Sequence, residues 1–135
     1  MKLISTVIPL VALFSVVSAV NVRYDRQYDD VNGKPTSIDC FATGAASPHN
    51  PLAGVTNFGD VPTFPNITAA DVVTNTAGCG SCWEISYGVN SITVTVVDHA
   101  SDGFSLTLDA MNVLTDGHGD TGVINANAHE IDCGL

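Results

Sequence analysis

An aspartate at the end of an apolar strand is the residue in this chain best placed to do chemistry. In the run Ile92-Thr93-Val94-Thr95-Val96-Val97-Asp98, positions 92, 94 and 96 are apolar. Strand side chains repeat every two residues, so Asp98 falls on the same side as Ile92, Val94 and Val96. A carboxylate facing a core needs hydrogen-bond donors, or desolvation raises its pKa. Either condition marks a site candidate. The alternative is that Asp98 only caps the loop after it through local backbone bonds. His99 and Asp102 follow in the turn Asp98-His99-Ala100-Ser101-Asp102-Gly103. An acid beside a histidine suits proton transfer, although neighbouring strand residues face opposite ways.

Glycoside hydrolysis generally takes two carboxyl groups flanking the bond, one protonated and one charged. Asp25, directly after Tyr24, is the acid to pair with Asp98, which gives the hydrolytic reading: a weak endoglucanase or lytic transglycosylase using Asp98. No serine lies in a G-x-S-x-G turn. Asp98, His99, His118, Asp120 and His129 match no zinc spacing and no calcium-loop ladder, so neither metal nor cofactor is expected.

Short strands position these groups. Val20 to Tyr24 alternates apolar and polar, as do Trp83 to Tyr87 and Ile92 to Val97. The last two flank Gly88-Val89-Asn90 and read as a hairpin. Leu108, Met111 and Leu114 have helical spacing, which predicts a short helix over Thr107 to Leu114. Thr68 to Val73 is expected to make one or two helical turns, capped by Asn66 or Thr68. Ala42 to Asn66, rich in Gly, Pro, Ser, Thr and Asn, reads as a long loop of the kind that carries function. Gly117 to Asp120 reads as a turn, and Val123 to Cys133 as partly strand. Short strands, many turns and one short helix point to a small β-barrel, which leaves no open edge.

The chain has 135 residues and a formal net charge of −10. Lys2, then an almost wholly apolar run from Leu3 to Val17, then Val17-Ser18-Ala19 read as a signal peptide over residues 1–19. The expected mature domain is 20–135. The run is short for a membrane span, and no second one follows. Arg23, Arg26 and Lys34 are then the only strong bases, against fourteen carboxylates. Nucleic acid and anionic membranes are disfavoured partners, and a neutral polymer is not. Cys40, Cys79, Cys82 and Cys133 behind a leader read as two disulfides, with three connectivities open. Asn66-Ile67-Thr68 is the sole N-glycosylation sequon, placed beside Pro65.

Cys79-Gly80-Ser81-Cys82-Trp83 after an upstream Cys40 is followed by Val97-Asp98-His99-Ala100, Gly103-Phe104 and Ala110-Met111-Asn112, and the chain closes on Cys133-Gly134-Leu135. With Tyr24-Asp25, Gly59-Asp60-Val61-Pro62 and Phe64-Pro65, this pattern resembles the cerato-platanin family across the expected mature chain. The resemblance implies a mainly-β, six-stranded double-ψ β-barrel with one or two short helices, related to expansins and family 45 endoglucanases. It implies disulfides Cys40–Cys79 and Cys82–Cys133, and Asp98 as the groove aspartate. It implies a secreted fungal protein of the extracellular space and cell wall that binds chitin oligosaccharides or loosens glucan without hydrolysis. Elicitation of plant defence, through a plant receptor, belongs to the same implication. In place of a groove-lining aromatic this chain has Ser47-Pro48-His49-Asn50-Pro51-Leu52, with Phe58 the nearest ring, and its tail Asn125-Ala126-Asn127-Ala128 is plain enough to predict a short strand.

The expected function is thus a monomeric, non-catalytic binder of neutral polysaccharide. Asp98, Tyr24, Asp25, Thr56, Asn57 and His99 are the expected ligand contacts, since carboxylates and amides hydrogen-bond sugar hydroxyls and acetamides. Tyr24 offers a ring face, or equally belongs to the core through its alternation with Val20 and Val22. A surface-active wall protein with no defined small ligand is the third reading.

Overall fold

The computed structural model describes residues 18–44, 50–75 and 77–134. Most of the expected leader, the stretch 45–49 with Ser47-Pro48-His49, Thr76 and Leu135 lie outside the described residues. The strands are β1 (Ser18–Tyr24), β2 (Ile67–Ala70), β3 (Cys82–Tyr87), β4 (Asn90–His99), β5 (Phe104–Leu106) and β6 (Ile124–Ile131), with helices α1 (Cys40–Gly44) and α2 (Leu108–Leu114). They form a closed six-stranded barrel in the order β1-β5-β2-β4-β3-β6. β1 runs parallel to β5 and β2 parallel to β4; the other pairings are antiparallel. The mainly-β barrel with two helices and two disulfides is the fold class that the sequence led us to expect.

Two apolar layers follow from strand alternation. Val22, Ile85, Ile92, Val94, Val96, Phe104 and Leu106 point into the barrel, where Ala110, Met111 and Leu114 of α2 join them. Thr107 caps that helix by accepting from the Ala110 N–H at 3.1 Å. Ile67, Ala69 and Val97 face outward instead and are covered by Tyr28, Phe41, Leu52, Val55, Phe58 and Val61. The long loop expected from Ala42 to Asn66 is therefore, in its described part, a second core laid against the outside of the barrel.

The helical turns expected over Thr68 to Val73 are not there: Ile67–Ala70 is β2. Thr68 and Ala70 go inside, Ile67 and Ala69 outside, and the strand lies between β4 and β5. Pairing on both sides satisfies its backbone and overrides a weak local helix preference. β5, three residues long, had no periodic signal of its own. The tail strand is not short either. β6 spans eight residues because Ala126 and Ala128 fit the interior beside β1 and β3 while Asn125 and Asn127 stay exposed.

The β3–β4 hairpin closes through Gly88-Val89, with Gly88 at φ 60° as a two-residue loop of this kind requires. Disulfides join Cys40 to Cys79 and Cys82 to Cys133. The first ties α1, in the outer layer, to the segment before β3; the second ties the start of β3 to the tail after β6.

Candidate functional site

A β-bulge decides where Asp98 points. In the β2–β4 pairing Thr68 lies opposite Val96 and Ala69 opposite Asp98, so Val97 is the extra residue. A bulge puts two residues of one strand against one of its partner and shifts the alternation beyond it. Asp98 therefore faces outward with Ala69, not inward with Ile92, Val94 and Val96 as strand parity predicted. It faces the outer loop layer, and it is 0 % exposed.

Five donors within 3.2 Å saturate its carboxylate, and the Thr36 hydroxyl lies 3.5 Å away. One oxygen accepts from the Tyr28 hydroxyl and the Thr36 N–H, each at 3.0 Å. The other accepts from the N–H groups of Ser37 and Ile38 at 3.2 Å and of His99 at 2.8 Å. Every partner donates, which suits an acceptor-only carboxylate. Asp98 is thus enclosed by these donors and is not among the residues that line the groove described below. It pins the 36–38 segment to the end of β4.

Burial first, and then the charge of Asp98, push the Tyr28 hydroxyl well above the ordinary phenol value, so it remains a donor. A raised folded-state pKa contributes stability that is full below the unfolded value and is lost as pH rises toward the folded one. Tyr28→Phe is expected to cost about 1.5–3 kcal/mol at neutral pH, as for a bond to a charged group. The gap to the parent protein should narrow above about pH 10, where the unfolded tyrosine ionises. Urea unfolding at pH 7 and pH 11 measures both, and a gap that does not change with pH counts against this bond.

Above the sealed carboxylate lies an open polar groove of about 270 Å3. Its floor is one row across four strands: Arg23 of β1 pairs with Ser105 of β5, Ser105 with Ala69 of β2, and Ala69 with Asp98 of β4. Ala69, with only a methyl group, leaves the hollow. Asp25, Gln27, Ser37, His99 and Ser101 stand around it. Arg23 donates to Asp102 at 3.0 Å, which neutralises the groove's cation. Asp25 accepts from the Gln27 N–H at 3.0 Å and from its amide at 2.8 Å. His99 Nδ1 lies 3.0 Å from the Val73 carbonyl. A carbonyl only accepts, so Nδ1 carries a hydrogen toward it.

Of the expected contacts, the structure brings Asp25 and His99 together here. Tyr24 packs against the barrel core and does not line the groove. Thr56 lines a different hollow, beside Lys34 and Asp39, and Asn57 lines neither. The Thr56 hydroxyl and the backbone N–H of Asn57 are already engaged, donating to Asp60 at 2.9 Å and 3.2 Å. The Thr56 side chain first, then the two backbone groups, hold the Asp60 carboxyl below its usual range. Phe58 is 1 % exposed between Tyr28 and Phe41, so it offers no stacking face. No cluster of metal ligands occurs among the described residues. Arg23, Gln27, Ser37 and Ser105 were missed; Arg23 carried a signal, as one of four basic residues in the chain, set on the polar side of an alternating strand.

A closed barrel stapled by two disulfides, with a sealed aspartate under an open polar groove, defines a small barrel protein of expansin-like fold. An expansin of Clavibacter michiganensis, crystallised with cellohexaose, shares this fold at TM-score 0.58 and 14% identity, over 85% of this chain and 50% of the other. The cerato-platanin family profile matches residues 20–135, and the chain belongs to that family. The crystal structure of cerato-platanin 2 from M. perniciosa superposes at TM-score 0.72 with 32% identity, covering 87% of this chain and all (100%) of that one. A heat-stable 19 kDa antigen of Coccidioides posadasii is 27% identical over 136 aligned positions, 95% of this chain and 90% of the antigen.

Proposed function

We propose that this is a secreted cell-wall protein that holds a neutral polysaccharide, chitin or β-glucan, in the Arg23–His99 groove without hydrolysing it. The observation that carries the reading is the groove's composition. Its only strong base is paired with Asp102, and hydroxyls, a carboxylate and an imidazole ring the remainder. Such a surface offers sugar hydroxyls both donors and acceptors and gives an anion no net attraction. The chain's charge of −10 works against anionic polymers at longer range. The cellohexaose bound to the expansin supports a glycan of this class. Hydrolysis is disfavoured because the buried Asp98 has no free edge to donate a proton.

The family match begins at residue 20, which supports a leader ending at Ala19. Cleavage there removes the pairings of Ser18 with Ala128 and Ala19 with Asn127, and leaves Val20–Tyr24 to hold β1. At the Asn66 sequon, Thr68 is 0 % exposed and its hydroxyl donates to main-chain carbonyls. Glycan transfer to Asn66 therefore has to precede closure of β2. Elicitation of plant defence through a receptor, and a monomeric state, complete the proposal.

Pull-down on insoluble chitin, cellulose and β-glucan tests the groove, with Asp25→Asn and His99→Ala as comparisons. Retention on at least one polymer is expected, weakened roughly tenfold by either change, as for one or two lost hydrogen bonds. No reducing ends should be released. A protein that passes through all three polymers unretained is not this binder, and one that releases sugar is an enzyme.

A further inference from the structure

We propose that the tip of the β3–β4 hairpin carries a second sugar-contact site, separate from the groove. Asn90 and His99 are the two ends of β4. Ten residues of strand put the tip about 30 Å from the groove. Beside the tip lies a hollow of about 250 Å3 lined by Tyr87, Gly88, Val89 and Asn90 on one side and Leu114, Thr115 and Asp116 on the other. That is smaller than the pocket of a drug-sized ligand and suits a single ring of a longer chain.

Three features of the hollow are costly for the fold alone. Asp116 adopts φ 54°, a left-handed conformation that glycine or asparagine takes more cheaply just past a helix. Its charge sits at the carbonyl end of α2, where a cation is favoured and an anion is not. It also adds to a chain already strongly negative. Asn90 donates to one Asp116 oxygen at 3.1 Å and to the Leu114 carbonyl at 3.2 Å. The bond fixes the carboxylate's position and leaves the other oxygen to accept from a ligand.

Tyr87 supplies the second half of a sugar site. It lies on the same side of β3 as Ile85, yet it has no partner on β6, whose pairing with β3 ends at Ser86. Tyr87 is 40 % exposed, and Val89 beyond it is 99 % exposed. An aromatic face beside a fixed carboxylate is the combination that holds a sugar ring, apolar C–H face on one side and hydroxyls on the other. No cation lines the hollow, so the occupant is a neutral glycan ring. The site needs none of the groove's residues. With both occupied, one molecule joins two points on a glycan, or two glycans, and gains avidity without stronger contacts.

The test is a two-dimensional amide NMR titration with chitin and cellulose hexasaccharides. The variants are Tyr87→Ala and Asp116→Asn. Amides of residues 88–90 and 116 should shift saturably in the parent protein. Tyr87→Ala should weaken that set by roughly three- to tenfold, as expected for one lost ring contact, and leave the groove amides unchanged. Asp116→Asn keeps an oxygen for Asn90 and relieves the backbone, so stability should hold or rise while tip binding falls. Tip amides that stay still while the groove saturates overturn the proposal. So do tip shifts that depend on protein concentration without sugar, which mark a second copy as the occupant, and so does undiminished binding in Asp116→Asn. Saturable tip shifts with a silent groove uphold the tip site and remove the groove reading instead.

Discussion

Asp98→Ala is expected to lower the free energy of unfolding by about 3–5 kcal/mol, the cost of breaking a buried, charge-assisted network from one side. The reason lies in what is left behind. The N–H groups of Thr36, Ser37, Ile38 and His99 and the Tyr28 hydroxyl all aim at the missing carboxylate. Each buried donor without an acceptor costs about 1–3 kcal/mol, partly recovered by relaxation. Asp98→Asn is the sharper comparison. Its amide keeps the volume, but turned either way its NH2 meets at least two donors where an oxygen stood, so a smaller loss is expected. Denaturant unfolding of both variants, with sugar binding measured on whatever remains folded, separates positioning from contact. Since Tyr28, Ser37 and His99 line the groove, a fall in affinity should accompany the fall in stability. A fully stable Asp98→Asn protein that no longer binds glycan would mean that the carboxylate touches the ligand after all.

Alternation carried much of the fold. β1, β3, β4 and α2 were legible because each shows its own period, and Gly88-Val89 announced the hairpin. The elements that escaped have no local signature. β5 is three residues long, and β2 reads locally as a helix start, so both exist only through their neighbours. Asp98 shows the same limit at the site. Sequence parity marked it as a buried acid, and it is buried. The single extra residue Val97 reversed its direction, and no strand pattern reveals a bulge set by pairing with β2. Tyr24 and Thr56 were chosen for their chemistry, but packing decides which chemistry is free. Tyr24 belongs to the core, and the Thr56 hydroxyl is held by Asp60. Arg23, Ser105 and Ala69 form the groove floor only because two separate pairings align them.

The two disulfides should contribute about equally to stability and quite unequally to function. They close loops of 39 and 51 residues, for which the chain-entropy model gives about 4 kcal/mol each. Cys82–Cys133 fastens strand to tail at one seam of the barrel, away from the groove lining. Cys40–Cys79 fastens the outer layer, which holds Tyr28, Phe58 and Val97 in one cluster. The N–H groups of 36–38 that seal Asp98 lie just before Cys40 in the chain. Replacing Cys40 and Cys79 together by alanine should therefore speed amide exchange over 36–38 and weaken groove binding at temperatures where the barrel still stands. Replacing Cys82 and Cys133 should lower the midpoint by a similar amount but leave exchange at 36–38 and glycan affinity near the parent values. Unfolding, hydrogen exchange and pull-down on the two double variants read these outcomes separately. Equal effects on the groove would mean that the outer layer and the barrel unfold as one unit, and that the sealed aspartate is held by the whole fold and not by its own staple.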